Sequence, residues 1–221
     1  MQIKKPKLNM NLANKLTFLR IILAPVFLIV YFLPKEYSIW AIPVLWVIFI
    51  VSEITDYFDG LAARKLKIAS DFGKLFDPFA DTLVQITCFL CFAIDGIWNF
   101  AIDGIWSIGI IPIILFLLVI YREFGILFLR NLMLKKGITL GASIYGKIKT
   151  VAYIIAVGAA LIAASFELQM HDPHHTQVIS EIILSYIKTG ALIIFAISVI
   201  ISIFSFFDYL SQYRKQHERN N

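Results

Sequence analysis

Charge is scarce in this sequence. Asp, Glu, Lys and Arg together make up 16% of its 221 residues, where a soluble domain carries roughly 25%. Hydrophobic residues reach 59% and mean hydropathy is +0.80, which is too apolar for a single water-solvated core. Cysteine is limited to Cys88 and Cys91. They form a C-x-x-C within an apolar run, without the further ligands a zinc site needs and outside the soluble folds where such redox pairs work. They read as small packing residues. Strict apolar–polar alternation is missing, which excludes a transmembrane barrel. A small-x-small cleavage site is missing after the first apolar block, which argues for a retained helix over a signal peptide. No Gly/Ser-rich linker divides the chain. The expected organisation is a basic segment over residues 1–13, with Met10 a candidate second start, a membrane domain over 14–210 and a polar tail over 211–221.

What is present is long apolar blocks. Leu16–Leu33, Ile39–Ile54, Phe79–Ile94, Trp106–Tyr121, Val151–Phe166 and Ile187–Phe207 are the densest. Each approaches the ~20 residues that cross ~30 Å of hydrocarbon as a helix, and in lipid only helices or closed barrels satisfy their own backbone. The expectation is an all-α integral membrane protein with six transmembrane helices. All of the 20 Lys and Arg residues except Lys35 and Lys188 fall on one of the two alternating sets of loops and helix ends. By the positive-inside rule that set is cytoplasmic, with both termini, and the protein belongs in the cell membrane. The pI of about 9.1 then suits anionic lipid headgroups. Basic residues spread along a membrane face give no nucleic-acid footprint.

Two further features carry no chemistry of their own. Phe92-Ala-Ile-Asp-Gly-Ile-Trp98 recurs as residues 100–106, and its Asp-Gly turns and tryptophans suit an interfacial loop. His171-Asp-Pro-His-His175 lies in an outer loop, on the opposite side from the main charge cluster.

That cluster is acidic. Ionisable groups in or at the ends of spans cost about 2.5–3.5 kcal/mol each on the insertion scale and are functional by default. The second span runs into Glu53, Asp56, Asp59 and Arg64, and the third opens with Asp77 and Asp81. Asp56 and Asp59 fall about 60° apart on a helix, with Gly60 and Ala63 within about 40° of Asp56; Asp77 and Asp81 form an i, i+4 pair. The short connection makes the two helices expected antiparallel neighbours whose acidic ends meet. Four carboxylates in one volume repel, and Arg64 alone cannot neutralise them. Oxygen-ligated Mg²⁺ or Mn²⁺ can, and two such ions form the usual clamp for displacement at phosphorus. Gly60, Ala63 and Gly73 would let a ligand approach the backbone.

The string Asp56-x2-Asp59-Gly60-x2-Ala63-Arg64-x8-Gly73-x3-Asp77-x3-Asp81 resembles the complete motif of the CDP-alcohol phosphotransferase family, with every fixed position filled over residues 56–81. The resemblance implies a six-helix membrane enzyme, usually a homodimer, that moves a phosphatidyl or similar group from a CDP-linked donor to an alcohol and releases CMP. It implies that Asp56, Asp59, Asp77 and Asp81 bind metal and that Asp81 is also the general base. It implies that Asn14, Thr17, Asp59, Gly60, Ala63, Arg64, Ser70 and Gly73 line the cytidine diphosphate pocket. Asn14-x2-Thr17-x2-Arg20, Arg122-Glu123-x6-Arg130 and Gly146-Lys147-x-Lys149-Thr150 are similar to the bacterial branch that uses CDP-diacylglycerol and sn-glycerol 3-phosphate.

A phosphorylated acceptor agrees with the charges. Arg122, Arg130, Lys147 and Lys149 are bases at the ends of the fourth and fifth spans, suited to clamp a dianion. Lys147 and Lys149 would diverge by about 200° in a regular helix. Three alternatives stay open at the level of sequence. They are a sister enzyme using inositol phosphate, serine or another alcohol, a cation transporter ligating ions through the aspartates, and a scaffold. Transport would favour ligands near the bilayer midplane on broken helices, and a scaffold would give no reason for the cost of so many acids.

Overall fold

The computed structural model describes residues 12–33, 37–66, 71–95, 97, 110–135, 144–170 and 181–220. Each apolar block supplies the body of one helix among the described residues: α1 (Leu12–Tyr31), α2 (Ser38–Leu66), α3 (Asp71–Asp95), α4 (Ile110–Lys135), α5 (Ile144–Met170) and α6 (Glu181–Asn220). No strand occurs among the described residues. Among the described residues four stretches are long and apolar enough to cross a membrane: Pro78–Asp95, Ile110–Met133, Ile144–Glu167 and Glu181–Gln216. The chain is a multi-pass membrane protein. α6 is the longest helix, with 40 residues, or ~60 Å at 1.5 Å per residue, and it continues through position 211 without a break.

Lipid as solvent explains the burial pattern. Large apolar side chains stand on the outside, such as Trp40, Ile114, Tyr121, Phe128, Ile155 and Phe204. The interior holds rings and small residues. Phe89 meets Tyr153 edge-on at 5.1 Å and Phe195 at 4.8 Å, and Phe27 meets Phe92 edge-on at 6.5 Å. Ala156, Ala160, Ala163 and Ala164 line the buried face of α5, where small side chains let backbones approach in the absence of a hydrophobic drive between helices. α5 accordingly shares its most extensive interface with α6. Cys88 and Cys91 are free thiols inside this core.

α1 lies along both α2 and α3, whereas α2 and α3 share no extensive interface among the described residues. The expected meeting of the acidic ends of α2 and α3 falls largely on side chains outside the description. At the far end α2 reaches α5, where the Trp46 indole N–H donates to Ser165 Oγ at 3.3 Å. Also at that end, the Tyr31 hydroxyl donates to Asp95 at 3.0 Å and Lys188 pairs with Glu167 at 2.6 Å.

α4 approaches α6 closely at Gly125, where an added Cβ would lie 3.0 Å from the Phe206 ring. Alanine there should be tolerated by a small ring shift. Gly125→Leu should push the helices apart and lower the thermal midpoint of the detergent-solubilised protein, at a cost of about 1–3 kcal/mol. An unchanged midpoint would contradict this contact.

Candidate active site

α1 brings Thr17 and Arg20, one turn apart, into the interior, each 1% exposed. A buried guanidinium in a membrane needs a counter-charge. It has one in Asp56 of α2, whose Oδ1 receives the Arg20 Nη1 donor at 2.5 Å. The aspartate side chain keeps 41% of its surface open, so one carboxylate edge is held while access remains. From α3, Asp81 joins the same field: the charges of Asp56, Lys149, Arg20 and Glu123 all act on it. Glu53, one turn before Asp56, interacts with Asp81, Asp56, Arg20 and Lys149. The site therefore draws on α1, α2, α3, α4 and α5. Pro78 adds a local feature. It lacks the N–H that would close onto the carbonyl of residue 74, in the turn between Asp77 and Asp81.

Behind the aspartates lies a buried polar network. Glu123 Oε1 accepts from Arg122 Nη1 and from Lys149 Nζ, each at 2.8 Å. Arg122 also donates through Nε to the Ser202 carbonyl at 3.1 Å and through Nη2 to Ser205 Oγ at 3.0 Å. Each of its three nitrogens thus has a partner within the protein. Lys149 reaches Gln85 Oε1 at 3.3 Å and lies 4.3 Å from the Tyr153 ring centroid. The Tyr153 hydroxyl donates to Ser202 Oγ at 2.6 Å. α3, α4, α5 and α6 are laced together by charge-assisted bonds, the stronger kind.

The residues singled out in sequence divide into three groups. Asp56, Asp81 and Lys149 share one electrostatic field, Arg122 is bonded to Glu123 behind them, and Thr17 is buried one turn from Arg20. Arg130 and Lys147 are exposed, Arg130 with its guanidinium 5.9 Å from the Tyr209 ring centroid of α6. Lys147 and Lys149 both lie inside α5 and part as their helical phase requires, one outward and one inward. For Asn14, Asp59, Gly60, Ala63, Arg64, Gly73 and Asp77 the helical backbone is described and the side chains lie outside the description; Ser70, the second copy of the repeat and the His-bearing loop lie outside the described residues. Among the described residues no group of three His, Cys, Asp or Glu is gathered for a metal.

Sequence reasoning missed the counter-charge of Arg20 and the hub role of Glu123. Both had a signal, being charges within apolar runs. Gln85, Ser202 and Ser205 gave a fainter one, polar residues recurring on one helical face.

A polytopic bundle with an acidic pair at one end and basic groups behind it has the construction of a membrane enzyme that handles anionic lipids. The chain belongs to the CDP-alcohol phosphatidyltransferase family, whose sequence pattern matches residues 10–206. It is 33% identical over 169 residues to the CDP-diacylglycerol–glycerol-3-phosphate 3-phosphatidyltransferase of Treponema pallidum, covering 75% of this chain and 68% of that one. It is 34% identical over 161 residues to the enzyme of the same name from Bacillus subtilis, covering 69% and 77%. With the probable phosphatidylglycerophosphate synthase of Mycobacterium tuberculosis H37Rv it shares 31% over 203 residues, covering 91% and 81%.

Proposed function

We infer that this protein transfers the phosphatidyl group of CDP-diacylglycerol to sn-glycerol 3-phosphate, giving phosphatidylglycerophosphate and CMP. The activity named for its relatives supports this over the sister alcohols. The observation that supports it is that Asp56 and Asp81, the first and last aspartates of the family motif and borne on two separate helices, stand near enough for their charges to interact.

Asp81 is assigned as general base. It takes the proton of the acceptor 1-hydroxyl as that oxygen bonds to the β-phosphorus; the bond from that phosphorus to the CMP oxygen breaks, and the proton stays on the carboxylate. Asn14, Thr17, Asp59, Gly60, Ala63, Arg64, Ser70 and Gly73 are assigned to the cytidine diphosphate. The acceptor phosphate is assigned to Arg130, Lys147 and Lys149, with Lys149 innermost because its charge acts on Asp81. Arg122, with every nitrogen engaged, serves that set by holding Glu123 and Lys149 in place.

The donor chemistry fits a divalent ion: carboxylate oxygens suit Mg²⁺ or Mn²⁺, and Asp56 and Asp81 repel one another with Arg20 bonded to Asp56. Asp56, Asp59, Asp77 and Asp81 would hold one or two such ions, which supply charge neutralisation for the diphosphate and the departing CMP.

Six spans with both termini cytoplasmic and the site at the inner face follow from the distribution of Lys and Arg. Pairing into a homodimer rests on the family resemblance, and cross-linking in native membranes tests it. For the activity, purified protein with CDP-diacylglycerol should release CMP with sn-glycerol 3-phosphate and not with inositol phosphate or serine. EDTA should abolish release, and Mg²⁺ or Mn²⁺ should restore it. CMP release with another alcohol alone would move the protein to a sister activity, and none with any acceptor would end the enzyme reading.

A further inference from the structure

One helical turn deeper than each of the two meeting aspartates sits a buried polar group without a bonding partner among the described residues. On α3 it is Gln85 Nε2, four residues after Asp81; on α2 it is Ser52 Oγ, four residues before Asp56. Both residues are nearly sealed, Gln85 at 3% exposure and Ser52 at 2%. Spacing of four puts each within about 40° of its aspartate and ~6 Å along the axis. Within the span Pro78–Asp95, Asp81 stands near the end and Gln85 near the middle, so the step leads from headgroup depth toward hydrocarbon.

The Gln85 amide is oriented. Its Oε1 accepts from Lys149 Nζ; lysine has no acceptor, so the amide nitrogen must occupy the other position. Lys149 is itself fixed by Glu123. An anchored buried N–H₂ without an acceptor is costly, and native proteins seldom leave one without a reason. Mid-helix serine commonly bonds the carbonyl four residues back, as Ser165 does to Leu161. Ser52 makes no such bond among the described residues.

We propose that Gln85, seconded by Ser52, donates to the ester carbonyl oxygens of the diacylglycerol moiety of the donor and so selects ester-linked lipid. The proposal rests on the reading that the aspartates mark where the diphosphate lies. In such a donor the glycerol esters follow the phosphate by a few bonds and lie toward the acyl chains, the direction in which the two donors lie from the aspartates. Both groups can donate a hydrogen bond, and an ester carbonyl only accepts. A CDP-linked lipid with ether chains offers the same diphosphate and shape without those carbonyls.

The test compares CMP release from CDP-diacylglycerol and from the ether-linked CDP-dialkylglycerol of equal chain length, with purified full-length protein, Mg²⁺ and saturating sn-glycerol 3-phosphate. Wild type should favour the ester donor in kcat/KM by about 3- to 10-fold, the range for one net hydrogen bond. Gln85→Met should lose most of that preference by falling on the ester donor alone, with KM for sn-glycerol 3-phosphate unchanged. Gln85→Glu keeps the shape and the Lys149 partner while removing the donor, and should lose the preference in the same way if the methionine variant does not fold. Ser52→Ala should give a smaller loss of the same kind. Equal use of both donors by wild type would assign these groups to trapped water and overturn the proposal. So would a loss in Gln85→Met that is equal for both donors or that falls on the acceptor KM. If wild type released no CMP from either donor, the reading of the aspartate site would fall, and this inference with it.

Discussion

Asp81→Asn should lower CMP release by about 10²- to 10⁴-fold at saturating Mg²⁺, the range for a general base. The substitution keeps the size and polarity of the side chain while removing the carboxylate proposed above to receive the acceptor proton. The charges of Asp56, Lys149, Arg20 and Glu123 all act at this position, so a neutral amide would also alter the balance that positions Lys149. The measurement is CMP release at increasing Mg²⁺, with the folded fraction followed by size exclusion in detergent. Persistence of the defect at saturating metal separates proton transfer from weaker metal binding. Near-normal turnover under those conditions would remove Asp81 as the base. Asp56→Asn should behave differently, since Asp56 is assigned to metal alone: part of its activity should return as Mg²⁺ is raised.

The largest effect on folding should come from Glu123. Truncation to alanine strands Arg122 and Lys149, which are 9% and 6% exposed, with a common partner gone. Breaking a buried ion pair by removing one member costs about 3–5 kcal/mol, because an uncompensated charge stays behind. Glu123→Ala should therefore sharply reduce the yield of folded protein and lower its thermal midpoint in detergent. Glu123→Gln should be milder, because an amide oxygen can still accept from both bases. A triple replacement of Arg122, Glu123 and Lys149 by apolar residues of similar volume should recover the midpoint without recovering activity. A Glu123→Ala protein as stable as wild type would show that the network contributes nothing to the fold.

The helices were legible because lipid makes a simple demand of sequence. Each of the six apolar blocks supplies the body of one helix, four of them lying wholly inside it, and the phase that sends Lys149 inward and Lys147 outward follows from 100° per residue. The lateral order of the helices was not legible. Nothing in the spacing of Asp56 and Asp81 says that α1 lies along both their helices, since such a neighbour is chosen by packing of side chains distant in sequence. The acidic motif could be read as a metal cluster, whereas the identity of its organic counter-charge could not. Arg20 reaches Asp56 across 36 residues, beyond any local periodicity. Likewise Arg122 and Lys149 stood out as bases suited to a phosphate, and only the fold reveals that both are bonded to Glu123.

The burial of Arg20 also bears on how the protein is made. In the six-span arrangement proposed above, α1 would carry its guanidinium into the bilayer before the residue that neutralises it has been synthesised, and between the two lie the rest of α1 and most of α2. An arginine within a span costs about 2.5–3.5 kcal/mol on the insertion scale, so a lone α1 would be a reluctant passenger in the membrane. α1 and α2 should then settle as a hairpin, released from the insertion machinery together once Asp56 emerges. Nascent chains arrested before and after Asp56 should differ in how firmly α1 is retained in lipid. In this protein, assembly of the catalytic centre and biogenesis of the first hairpin would be one event.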